Sequence, residues 1–105
     1  MTDKRIVLST AGSADEAHKI AHHLVEQRLA ACVNIVPRIE SIYRWQGKVE
    51  SSEEWLLLIK TTAEKYAAVR DAIRQLHSYQ VPECVAITIE DGSADYLEWI
   101  GNSVK

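Results

Sequence analysis

The chain has 105 residues, 47% apolar and 26% charged, with a formal net charge of −3. These values fit one soluble domain, residues 1–105, able to bury a core without disulfide staples. They argue against a nucleic-acid partner, which needs a concentrated basic face, and the longest apolar run, Trp55 to Ile59, is far too short to span a membrane.

The opening MTDKRIVLST is too short an apolar stretch for a signal peptide. Arg5 to Ser9 reads as a first strand. Ser13 then offers a helix N-cap, and Glu16 three residues on completes a capping box. Ala17, Ile20, Ala21, Leu24 and Val25 follow at helical spacing, so a helix should run to about Arg28. A β-rich region comes next. Ala31 to Ile35 is one strand piece, and Pro37, which cannot donate to a ladder, implies a bulge. Pairing should resume from Ile39 to Trp45. Gln46-Gly47 makes a tight turn, and Val49 to Lys60 returns as the partner strand. Thr61 and Glu64 are spaced as the cap of a second helix, with Tyr66, Val69, Ile73 and Leu76 as its apolar stripe. His77 sits at its C-terminal end. Val85, Ile87 and Ile89 alternate as a fourth strand. Ser93 opens a short last helix carrying Tyr96, Leu97, Trp99 and Ile100.

The order β-α-β-β-α-β plus a terminal helix predicts an α+β, ferredoxin-like sandwich with a long central hairpin. A strand from Ala31 to Trp45 would be about 50 Å long at roughly 3.3 Å per residue. A compact domain of this size is only about 35 Å across. The hairpin should therefore overhang, leaving Ile42, Tyr43, Trp45 and Val49 in water and its edges unpaired. Pairing with further copies of the chain removes both costs.

Five stretches carry a family resemblance: LAACVNIVP (29–37), SIYRWQGKVE (41–50), LLIKTT (57–62), HSYQVPE (77–83) and YLEWI (96–100). In this order they resemble the CutA family, the divalent-cation tolerance proteins. The resemblance implies a ferredoxin-like subunit, a tight homotrimer in which hairpins pair with neighbours, copper(II) binding, a role in metal tolerance, and a cytoplasmic address, with no firm enzymatic activity. The family often has Pro after the histidine of the fourth stretch. Here Ser78 stands there, which should loosen that corner.

The candidate chemistry gathers on few residues. His77 can ligate a metal or carry a proton, and it can equally cap its helix. Glu83 can ligate a metal or pair with Lys48 or Lys60. Cys32 can be a buried structural thiol or, as the resemblance implies, a copper ligand. Cys84 reads as packing, and without CxxC spacing the two cysteines make no zinc or redox motif. Cys32, His77 and Glu83 are thus the candidate metal residues, for Cu(II) or another divalent ion, with no organic cofactor. Tyr43, Trp45, Gly47, Lys48, Glu50, Lys60, Tyr79, Pro82 and Trp99 are expected at the subunit cleft or trimer interface. His18 and His22, four apart on the first helix, can reach one ion, although exposed pairs often stay idle. His23 lies about 100° round the helix. Two further readings stand beside the metal-binding trimer. One is a sensor similar to the PII signalling proteins, with an anionic small molecule near Lys48 and Lys60. The other is an enzyme using His77 and Glu83 as acid and base. No Ser/His/Asp set, Walker loop or GxGxxG is present.

Overall fold

The computed structural model describes residues 1–105. Its elements are β1 (Lys4–Ala11), α1 (Ala14–Glu26), β2 (Cys32–Trp45), β3 (Lys48–Thr62), α2 (Tyr66–Leu76), β4 (Val85–Thr88) and α3 (Ala94–Ser103). The strands form one antiparallel sheet in the order β2-β3-β1-β4. This is the ferredoxin-like arrangement expected from the element order.

Period-two alternation divides the sheet into two faces. Val7, Leu57 and Ile59 point to one face and are fully buried under α1 and α2. The helices contribute Ala17, Ile20, Ala21 and Leu24 from α1 and Val69, Ala72 and Ile73 from α2. Ile6, Leu8, Leu56 and Leu58 alternate with these core residues and point to the other face. Only α3 covers that face, at one end, where Ile100 and Val104 pack with Ala31, Leu97 and Ile89. On the uncovered part Val85 is 52% and Ile87 47% exposed.

The hairpin overhangs as its length requires. The chain measures 44 × 25 × 22 Å. The ladder register shifts between Val36 and Ile39, so Pro37 sits in a bulge, with Arg38 in the left-handed region at φ 59°. At the turn Gln46 (φ 49°) and Gly47 (φ 82°) are both left-handed, the geometry whose twist suits a two-residue hairpin. Ile42, Tyr43, Trp45 and Val49 are exposed around this tip.

Three local expectations are corrected. Thr61 does not cap α2. It remains in β3, fully buried, and its hydroxyl donates to Leu29 O at 2.6 Å. The sheet captures it because β1 offers a backbone partner as far as Lys4↔Thr62, so α2 begins four residues after Thr62 behind a Lys65 N-cap with no side-chain bond. Helix α1 stops at Glu26, because Arg28 turns left-handed (φ 56°). Strand β4 ends at Thr88, one residue short of Ile89, whose N–H still donates to Lys4 O of β1 at 3.1 Å while its side chain packs with α3.

Candidate functional site

His77 closes α2. Its N–H donates to Ile73 O at 2.9 Å, and its backbone then turns extended. The ring enters the fold rather than solvent, with no accessible side-chain surface. Tyr79 N–H donates to Nδ1 at 3.0 Å. Glu16 Oε1 stands 3.1 Å from the same nitrogen, and Nε2 faces Thr10 O at the end of β1. The imidazole thus folds its own loop back onto the sheet.

Glu16 braces the same corner from the α1 side. Ser13 Oγ accepts from Glu16 N–H at 3.2 Å, which is half of a capping box. The other half is not made, because the Glu16 carboxylate turns outward and accepts from Ser78 N–H at 2.9 Å and from Ser78 Oγ at 2.8 Å. Burial opposes its charge, but the two Ser78 donors and the neighbouring His77 outweigh it and hold the carboxyl below its usual range. Ser78 therefore ties the corner down, contrary to the loosening expected where the family often has Pro. A proline would lack both donors.

Tyr79 carries the brace across to the hairpin. Its hydroxyl donates to Glu54 Oε2 at 2.7 Å. Burial first, and then the Glu54 carboxylate, push the phenol well above its ordinary value, so it stays a neutral donor. Gly12 makes room for this ring. A Cβ at that position would stand 3.0 Å from the Tyr79 oxygen. Glu54 is 7% exposed, on the same sheet face as Leu56 and Leu58.

Between the loop and the hairpin lies a cleft of about 650 Å³. Thr10 forms its floor. Tyr43, Trp45, Glu50 and Glu54 line the hairpin side, and Tyr79, Val81 and Glu83 the loop side. Three carboxylates and no Lys, Arg or His line it. This lining gives the cleft a negative potential, which attracts cations and repels anions.

The expected residues divide. Tyr43, Trp45, Glu50, Tyr79 and Glu83 meet at this cleft. Gly47 and Lys48 stand at the exposed tip beyond it, and Pro82 stiffens the loop behind Glu83. Lys60 and Trp99 lie elsewhere. Lys60 Nζ stands 5.4 Å from the Tyr96 ring centroid, and Tyr96 stacks on Trp99 at 5.5 Å, both on α3. The neighbouring Tyr96 hydroxyl raises the Lys60 pKa.

The three candidate metal residues do not converge within one chain. Cys32 pairs in register with Lys60, and Lys60 with Ile6, four residues from the Thr10 end of β1. That is about 13 Å along the strand at roughly 3.3 Å per residue. Both nitrogens of His77 are already engaged. Glu83 is exposed, and neither Lys48 nor Lys60 reaches it to form the expected ion pair. No group of three or more His, Cys, Asp or Glu side chains is placed to hold an ion. Sequence reasoning passed over Glu54, Thr10 and the second role of Glu16. One signal for Glu54 was present, an acid continuing the alternation of Leu56 and Leu58 on an apolar face.

Residues 5–103 match the family model for the CutA1 divalent ion tolerance protein. The divalent-cation tolerance protein CutA of Thermus thermophilus is 50% identical over 97 residues, 92% of this chain and 94% of its own. The chloroplastic protein CutA of Arabidopsis thaliana is 44% identical over 95% of this chain, which spans 55% of that longer relative. The solved structure of the periplasmic divalent cation tolerance protein CutA from Archaeoglobus fulgidus superposes with a TM-score of 0.94 at 44% identity, covering 97% of this chain and 99% of that one.

Proposed function

This chain belongs to the CutA1 divalent ion tolerance family, and on that premise we propose that it works as a homotrimer binding divalent cations, copper(II) among them, in the response to metal ions. The observation that carries the reading is the cleft of Glu50, Glu54 and Glu83, which no basic residue neutralises. Carboxylate oxygens accept divalent ions, and for a given donor set affinity among the first-row ions peaks at Cu(II). One chain supplies too few converging ligands to close a coordination shell. A second copy at the cleft mouth completes it.

Assembly is supported by the surfaces a single chain leaves in water. Val85 and Ile87 on the open face, and Ile42, Tyr43, Trp45 and Val49 on the hairpin, are too apolar and too close together for a solitary domain. The reading carries no catalytic step and places the trimer in the cytoplasm, where both free cysteines remain thiols. No helix is long and apolar enough to cross a membrane. The alternative, an anionic effector held by Lys48 and Lys60, has less support, since Lys60 is engaged with Tyr96 at the far end of the sheet.

Two measurements test the proposal. Light scattering at low micromolar concentration should return three times the 11.8 kDa subunit mass, and a monomer would remove the assembly. Calorimetric titration with Cu(II) should show an event that weakens when Glu50 and Glu83 are both changed to Gln. An unaltered titration would remove the cleft as the cation site.

A further inference from the structure

The geometry points to a second cation site, outside the cleft: a two-histidine chelate for Cu(II) or Zn(II) formed by His18 and His22 on the outer face of α1. The core-facing residues of this helix are Ala17, Ile20, Ala21 and Leu24. At 100° per residue His18 and His22 fall on the opposite flank, and both are exposed. Residues four apart on a helix have Cβ atoms about 6 Å apart on one face. Two imidazoles at that spacing close on one ion from adjacent turns.

Glu26 supplies the part of the argument that spacing cannot. Its Oε1 stands 3.8 Å from His22 Nδ1, one further turn along the same stripe. This is longer than a hydrogen bond, but it sets a carboxylate on the Nδ1 side of the ring. A metal-bound histidine characteristically presents its second N–H to such a carboxylate, which fixes the tautomer and turns the other nitrogen to the ion. Here that assigns the ion to Nε2 of His22. Asp15 lies one turn before His18 on the same flank. Lys19 is the single cation there, so the stripe Asp15, His18, Lys19, His22 and Glu26 has a net charge of −1 with neutral imidazoles.

The frame is already rigid. Ser13 caps α1, four apolar residues anchor it, and Glu16 ties its first turn to Ser78. Little ordering remains to oppose binding. The helix layer also lies on the opposite side of the sheet from the open face and cleft, so assembly through those surfaces leaves the pair accessible. His23 points about 100° away from His22 and is half-buried.

Calorimetric titration of the full chain with Cu(II) in a non-chelating buffer tests the site. H18Q, H22Q and the double variant should each lose one binding event per chain, while H23Q keeps it. E26Q should weaken the same event by about tenfold. His18, His22 and Glu26 are exposed and His23 is half-buried, and an unchanged thermal midpoint would certify the fold of each variant. In a 15N spectrum the first paramagnetic losses attributable to this event should fall around residues 18 and 22. A double-variant titration that overlays the wild type, or an equal loss in H23Q, overturns the site. The cleft event responds to Glu50 and Glu83 instead, so failure of one site is distinguishable from failure of the other.

Discussion

Ser78 and Glu16, 62 residues apart, are joined by two donors on one carboxylate: the Ser78 amide at 2.9 Å and its hydroxyl at 2.8 Å. The bond fastens the HSYQ corner to the first turn of α1. Its removal should therefore loosen the whole loop that forms one wall of the cleft. Replacing Ser78 with Ala removes the hydroxyl alone, and replacing it with Pro removes both donors. Hydrogen bonds to a charged group contribute about 1.5–3 kcal/mol each, and partial exposure of this pair puts the expected loss near the lower end. Chemical denaturation should rank wild type above S78A and S78A above S78P. A proline variant as stable as the wild type would show the bond to be incidental.

The same pair sets an acid limb. The folded state holds the Glu16 carboxyl below its usual range, so the folded protein binds that proton less readily than the unfolded chain. The stabilisation is complete above the unfolded value and is lost as pH falls through the folded one. Wild type and E16Q should thus differ most near neutrality and converge below the usual carboxylate range. Urea midpoints at pH 7 and pH 3 measure this, and a constant difference between them would contradict it.

Tyr79 and Glu54 link loop to hairpin. Changing Tyr79 to Phe leaves a nearly buried carboxylate without its donor, which costs about 1–3 kcal/mol. Adding Glu54→Gln should recover part of that loss, because a neutral amide is cheaper to bury unpaired. A double-mutant cycle reads the coupling directly, and additive effects would mean that the 2.7 Å contact contributes nothing.

Trp45 stands at the hairpin tip, 39% exposed in the single chain. In the proposed trimer this ring is covered, and truncating a buried aromatic costs about 3–5 kcal/mol. W45A should dissociate at concentrations where the wild type stays assembled, and dilution followed by light scattering would detect it. An equally tight assembly would locate the interface elsewhere on the chain.

Much of this molecule was legible in local sequence. Strand alternation, the stripe of Val69 and Ile73, the bulge at Pro37 and the Gln46-Gly47 turn depend on neighbours within a few residues, where period and dihedral preference decide. The overhang followed from length alone. Thr61 shows where that reach ends. Its spacing to Glu64 fits a cap, yet strand β1, more than fifty residues earlier, offers a ladder that extends β3 through it. The site was only half visible for the same reason. HSYQVPE stood out by composition, but whether His77 faces solvent depends on Thr10, whether Ser78 loosens or ties depends on Glu16, and whether Glu54 is a surface acid depends on Tyr79. Each of those partners lies 25 or more residues away. Sequence fixes which groups exist and their local periodicity, while only the packed sheet and helices decide which hydrogen-bond partner a buried polar group must find.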